Sequence, residues 1–364
     1  MVPKNVDAEK MIRHYDPRYN FVELFDPNSG FYARSGVFDE NGKDTGIDPF
    51  MRSFPSLIDI GIMQSCVCAK YCKVDCYQRA IDSVGDNMNL DDYKEIMNQS
   101  KGKVFQVALG GRGDPDTHEN FADILKITRE HNIVPNFTTS GIAFYSDKAA
   151  LCKEFTGAVA VSEHHADYTQ RTINYLLDAG VKTNLHYVLS NKSIDDAIAR
   201  LREGCFYDGI NAIVFLLYKP IGLGKRENVL RPDDPKLNEF FELVDKGGYD
   251  FKIGFDSCSC PGIVNKTSNV DLQSIDFCEG ARYSMYIDAN MNAMPCSFGN
   301  QDEKYFVSLR DHTIEEAWYS PVFEGFRNHL WNSCPGCSKR LGCAGGCPIC
   351  RDIVLCENKE KILV

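Results

Sequence analysis

The chain has 364 residues, 43% of them hydrophobic and 25% charged, with a formal net charge of −11 at pH 7. That length and mix suit a globular protein of one large domain and a small one. No run nears the ~20 continuous apolar residues of a membrane span, and the acidic balance argues against nucleic acid as partner.

In chain order, Met1 to Glu9 are polar and mixed in charge, unlike a secretory signal or transit peptide, so a cytoplasmic location is expected. Residues 1–56 are turn-rich. Asp26-Pro27-Asn28-Ser29-Gly30 and Asn41-Gly42 bracket short aromatic and β-branched runs, predicting a hairpin or two and no separate domain. Phe31, Tyr32 and Phe38 there either pack inward or offer a strand edge to a peptide. From Leu57 strand and helix signals alternate. Apolar runs at Leu57–Met63, Val104–Leu109, Ile133–Thr138, Ala158–Ser162, Thr183–Leu189 and Ala212–Leu217 predict strands. Helical spacing lies between them, as in Phe121-Ile124-Leu125-Ile127, Ile173-Leu176-Leu177 and Ile194-Ala197-Ile198-Leu201, the last with Ser193 as N-cap. Six β-then-α units in a row imply a parallel sheet with right-handed crossovers. Eight would close a barrel, so the expectation is α/β class: a partial (β/α)6 TIM-like barrel over 57–235, its ligands at the carboxyl ends of the strands. A bridging segment, 236–277, opens with a helix around Lys236–Val244. Residues 278–364 show too little apolar periodicity for a core of their own, so a small domain organised by bound metal is expected there.

Sixteen cysteines are far more than ordinary usage. A reducing compartment would not keep them as disulfides. Four fall between Cys66 and Cys76 and six between Cys334 and Cys356; clusters so tight point to metal or iron–sulfur ligation. Cys152 and Cys205, outside the clusters, read as buried apolar fillers. The first cluster directly follows the first strand. Three thiolates on one loop can hold three irons of a [4Fe–4S] cube and leave the fourth open; zinc is the alternative. Cys68-x3-Cys72-x3-Cys76 in this place resembles the radical SAM superfamily, whose usual signature is C-x3-C-x2-C. It is one residue longer here, and Cys66 is an alternative to Cys68. The second strand ends in Gly110-Gly111-Arg112-Gly113-Asp114-Pro115, resembling the family's Gly-Gly-Glu-Pro with Arg112 at the acidic position and Asp114 as substitute acceptor. Thr138-Thr139-Ser140-Gly141 and Val161-Ser162-Glu163 resemble the family's Thr-Asn-Gly and Ser-x-Asp. The resemblance therefore implies S-adenosylmethionine (SAM) held by Gly110, Gly111, Asp114, Ser140, Ser162 and Arg171. His164 and His165 at the same mouth are either loop residues or substrate contacts. Pro220 to Lys225 fits the Pro-x-Gly turn these enzymes often carry after the sixth strand.

The C-terminal cysteines run Cys278, Cys296, then Cys334-x2-Cys337-x5-Cys343-x3-Cys347, then Cys350 and Cys356. This string is similar to the SPASM extension of radical SAM peptide-modifying enzymes, with Met291 where a turn glycine is expected; two zinc ribbons are the alternative. The resemblance implies an auxiliary cluster on Cys278, Cys296 and Cys347, with Cys258 or Cys260 as a possible fourth ligand. It implies a second on Cys334, Cys337, Cys343 and Cys356, with Cys350 as alternative, and hence three [4Fe–4S] clusters in all. Implied too are reductive cleavage of SAM to a 5′-deoxyadenosyl radical and hydrogen abstraction from a substrate, expected to be a ribosomally made peptide that is crosslinked, oxidised or epimerised. Flavodoxin or ferredoxin would donate the electron. Sulfatase-maturing relatives carry an acid directly after the cysteine that ends the first SPASM segment; Ser297 stands there, which favours another peptide modification. A sulfatase-maturase-like or small-molecule oxidoreductase is the alternative within enzymes. A ferredoxin-like electron carrier or a metal-organised binding module is the alternative outside them.

Overall fold

The computed structural model describes residues 11–357 apart from 70, 71, 73, 83 and 84; the stretch Met1 to Glu9 lies outside them. Strands β1 (Ile12–Asp16), β2 (Phe21–Phe25) and β3 (Tyr32–Arg34) form an antiparallel sheet in that order. Its Phe25 stacks on Phe105, ring centroids 5.3 Å apart, beneath the first barrel strands. Tyr32 packs against the same ring and donates its hydroxyl to Glu23 at 2.8 Å, so packing accounts for this aromatic. Glu23 and Arg52, both fully buried, pair at 2.5 Å.

The barrel runs β4 (Leu57–Met63), α1 (Leu90–Ser100), β5 (Gln106–Gly111), α2 (Phe121–Glu130), β6 (Val134–Thr139), α3 (Ser146–Phe155), β7 (Val159–Ser162), α4 (Ala166–Asp178), β8 (Thr183–Leu189), α5 (Ile194–Glu203) and β9 (Ala212–Leu217). All six expected strands are present and parallel. The reason is visible in β4. Ile58, Ile60 and Ile62 are fully buried beneath the helices, each worth about 1.5–3 kcal/mol. Leu57, Asp59 and Gly61 take the opposite, inner face. A one-residue slip would bury Asp59 among the helices, which fixes the register. Ser193 does sit at the N-cap of α5, but its hydroxyl donates to Val188 O at 2.6 Å rather than capping the helix. Cys152 is buried in the core as expected, whereas Cys205 is exposed. It follows Gly204, whose left-handed conformation (φ 65°) ends α5.

The segment expected to bridge supplies α6 (Pro235–Lys246) and a seventh parallel strand, β10 (Lys252–Phe255), beside β9. One exposed and three half-buried residues at a sheet edge leave no apolar run to read. α7 (Cys260–Lys266) follows. The opposite edge, at β4, is taken by β11 (Ser284–Ile287) in parallel, and β12 (Asn292–Met294) and β13 (Val307–Ser308) extend it antiparallel. The ten-stranded sheet, β10 to β13, thus stays open.

The C-terminal region holds more core than its periodicity predicts. α8 (Ile314–Trp318) and α9 (Pro321–Asn332) bury Trp318, Phe323 and Phe326 in the same cluster as Met285 and Ile287 of β11. The five residues of α8 are too few to show a period, whereas Phe323, Phe326 and Leu330 of α9 do stand at helical spacing that sequence reasoning missed. Met291 sits in the β11–β12 turn at φ 66° with its side chain 2% exposed. The left-handed backbone costs a non-glycine residue about 1–2 kcal/mol, and burial of the side chain offsets it.

Candidate functional site

Directly beyond β4, the chain turns through its first cysteines. Cys66 and Cys68 bring their sulfurs to 3.2 Å, and the Cys72 amide donates to Cys68 O at 2.9 Å. Burial pushes both the Cys66 and Cys68 thiols up, and neighbouring thiols and Asp114 add to the shift for Cys68. The two sulfurs stand side by side at the same point of the loop, so Cys66 and Cys68 remain alternatives for one ligand position. Several contacts hold this loop. Asp75 accepts from Asn228 at 2.8 Å and from the Tyr218 hydroxyl at 3.2 Å. Leu223 N donates to Cys76 O at 3.0 Å. Gly222, at φ 66°, lies so near that a Cβ would collide with Tyr77 O and stand 2.7 Å from Cys76 O. The Pro-x-Gly turn is thus a clamp on the end of the cysteine loop.

The glycine turn after β5 meets the loop from the other side. Gly111 adopts φ 114°, where a Cβ would lie 2.8 Å from Met63 N, and a Cβ on Gly113 would run into Ser65 O. Gly110 is different: nothing lies within 4 Å of its Cβ direction, so that side of the turn is open to a ligand. Asp114 accepts from Ser140 N at 2.9 Å and from the Ser140 hydroxyl. Burial and the charge of Asp116 raise its carboxyl to about 6. Ser162 ends β7 and pairs in register with His186 of β8, whose imidazole is pushed down to about 4 by burial and by His164. Burial, with His165 beside it, likewise lowers His164 to about 4, so both rings are neutral at pH 7. Gly110, Gly111, Asp114, Ser140 and Ser162 therefore collect at one mouth. Arg171 stands behind it: its Nη2 donates to Gly141 O at 2.7 Å and Ile142 O at 3.2 Å, bracing the Ser140–Gly141 turn. Its buried Nε has no partner among the described residues.

Asp59 escaped sequence reasoning. It lies on the inner face of β4, level with Tyr286 of β11 and Ala108 of β5. Burial alone raises its carboxyl to about 7. A lone acid inside an apolar strand was the only signal.

The remaining cysteines sort into two groups. The Cys347 thiol beside it, together with burial, holds the Cys258 thiol well above the ordinary range. Burial pushes up Cys278, and Cys258 and Cys296 add to it; Cys296 itself is pushed to about 12 by burial and by Cys258. These four thiols therefore lie within electrostatic reach of one another. Cys260 turns away, donating to Asp276 O at 2.9 Å. In the second group, burial raises Cys334 and Cys343, and Cys337 and Cys356 act on both. Cys350 is not among their perturbers; its amide donates to Cys347 Sγ at 3.3 Å. Among the described residues, no three His, Cys, Asp or Glu side chains stand close enough to share a single metal ion. In donor type and number, two sets of four thiols suit two iron–sulfur clusters.

Fold and site together define the class: an open α/β barrel whose sheet continues into a cysteine-rich C-terminal domain. Residues 278–339 match the model of the SPASM family, an iron–sulfur cluster-binding domain. No curated protein matches the sequence. Among solved structures the chain is similar to Streptococcus suis SuiB bound to the precursor peptide SuiA, with TM-score 0.69 and 15% identity over 94% of this chain and 95% of that one. SuiB bound to S-adenosylmethionine gives 0.68 and 14% over 95% and 96%. The protein anSMEcpe with bound AdoMet gives 0.62 and 17% over 84% and 95%. At such identities the likeness shows a shared fold. The resemblance read from the motifs, to radical SAM enzymes with a SPASM extension, holds for the fold and the C-terminal domain. Among the described residues no helix is long and apolar enough to cross a membrane.

Proposed function

We propose that the protein is a radical SAM enzyme that modifies a peptide. The observation that carries this reading is the contact of the cysteine loop with the glycine turn at Gly113, beside the open side of Gly110 and the Asp114–Ser140 pair, at the carboxyl ends of adjacent strands. In this reading Cys72, Cys76 and either Cys68 or Cys66 hold a [4Fe–4S] cluster. Asp114 accepts the methionyl ammonium of SAM, the Gly110–Gly111 backbone lets it approach, and Ser140 and Ser162 face its polar groups. Arg171 acts as a positioning residue through the Ser140–Gly141 turn. Cys258, Cys278, Cys296 and Cys347 hold one auxiliary cluster; Cys334, Cys337, Cys343 and Cys356 hold the other. When bound, the loop cluster and SAM supply one-electron cleavage to methionine and a 5′-deoxyadenosyl radical, which takes a hydrogen atom from the substrate. The chain's own part is to orient SAM, exclude water and present the substrate in the barrel beside Asp59 and Tyr286.

A peptide substrate is supported by the fold shared with SuiB, a structure of which carries a precursor peptide, and by anSMEcpe, one of whose structures carries a peptide called Cp18Cys. Ser297 in place of an acid favours crosslinking, oxidation or epimerisation over sulfatase maturation. An electron donor such as flavodoxin or ferredoxin completes the system. The test is metal content after anaerobic reconstitution. Wild type should carry about twelve irons, and the Cys68→Ala/Cys72→Ala/Cys76→Ala variant about eight, with SAM binding lost and the auxiliary signals intact. Stoichiometric zinc with little iron would refute the reading.

A further inference from the structure

Lys219 directly follows Tyr218, just past the end of β9, and its side chain is 3% exposed. Its Nζ donates to Leu217 O at 2.9 Å and to Asp256 at 2.6 Å, and lies 4.3 Å from the centre of the Phe298 ring. Both partners belong to loops that carry thiols. Asp256 stands two residues before Cys258, and Phe298 two after Cys296. Asp256 has other uses: it accepts from Ser259 at 2.8 Å and from Leu217 N at 3.3 Å. Lys219 has none that packing demands, and a buried ion pair is a weak stabilising device, since apolar side chains of the same volume usually do as well. What the ammonium does supply is a fixed positive charge between two loops that would ligate the same cluster.

We infer that Lys219 sets the reduction potential of the auxiliary cluster held by Cys258, Cys278, Cys296 and Cys347, raising it by favouring the more negative, reduced state. The inference rests on the ligand set proposed above. Net charge close to an iron–sulfur cluster is one of the few levers a protein has on its potential, and the ammonium offsets the Asp256 carboxylate, which without it would stand uncompensated two residues from Cys258. Lys219 acts through the cluster rather than on the reacting atoms.

The experiment is an EPR-monitored redox titration of the reconstituted holoprotein. The signal in question is assigned as the one lost in Cys278→Ala/Cys296→Ala. Lys219→Met should move its midpoint to a lower potential at full iron content, leave the other two signals in place, and be reversed by Lys219→Arg. Lys219→Gln, which keeps a donor for Leu217 O, should shift in the same direction and serves where the Met variant loads poorly. A midpoint unchanged in both neutral variants would overturn the inference and leave the ligand set standing. If Cys278→Ala/Cys296→Ala retained every signal, the ligand set itself would fall, and the role of Lys219 with it.

Discussion

Replacing Gly222 by alanine tests how the cysteine loop is held. The residue sits at φ 66°, and an added Cβ would collide with Tyr77 O and approach Cys76 O to 2.7 Å. The left-handed backbone costs alanine about 1–2 kcal/mol, and forcing a methyl against two carbonyls of a packed turn costs about 1–3 kcal/mol more. Together, about 2–5 kcal/mol exceeds what the Leu223 N to Cys76 O bond can hold, since a hydrogen bond contributes about 1 kcal/mol net. The Pro220–Lys225 turn should lift away and release the loop. Gly248→Ala is the control: it is also left-handed, at φ 85°, but its Cβ would meet nothing within 4 Å, so only the backbone cost applies. The assay pairs iron analysis with SAM binding by calorimetry. Gly222→Ala should fall towards eight irons from about twelve and bind SAM at least tenfold more weakly, while Gly248→Ala should match wild type in both. Full iron and unchanged SAM affinity in Gly222→Ala would show that the turn does not clamp the loop.

Asp59 gives a pH signature. Its ordinary value is 3.8 and burial raises it to about 7. Stability present in full below 3.8 is therefore lost as pH climbs towards 7, to the order of 2 kcal/mol once partial hydration of the barrel is allowed for. Asp59→Asn should match wild type near pH 4 and exceed it by about that amount at pH 8; parallel denaturation curves at the two pH values would reject the buried acid. Met291→Gly relieves a left-handed backbone but empties a buried site, and the loss of packing, about 2–5 kcal/mol, outweighs the strain. A rise in melting temperature would reverse that ranking. Asp114→Ala should weaken SAM binding more than Arg112→Ala, because an ammonium needs an acceptor and Arg offers only donors; equal affinities in wild type and the Asp114 variant would count against the assignment.

The barrel was legible because β4 to β9 are buried against helices on one face, and burial writes apolar runs into a sequence. β10 was not, since an edge strand of one exposed and three half-buried residues needs no such run. The core around Trp318 and Phe323 was missed for a different reason: α8 is too short to show a period, α9 on its own offers only one apolar stripe, and their partners lie on β11, distant in sequence. Cysteine spacing pointed to two C-terminal groups, but could not choose between Cys258 and Cys260. The direction of each side chain separates them, Cys258 towards Cys347 and Cys260 towards Asp276 O. Asp59 and Lys219 carry no motif at all. Their surroundings come from strands and loops that only the folded chain brings together.

Incubating the reduced, anaerobically reconstituted protein with SAM and quantifying 5′-deoxyadenosine and methionine tests the central claim most directly. The account predicts both products from the wild type in equal amounts, without any peptide, and neither from the Cys68→Ala/Cys72→Ala/Cys76→Ala variant. A wild-type preparation with its full iron content and no 5′-deoxyadenosine under strong reductant would contradict it.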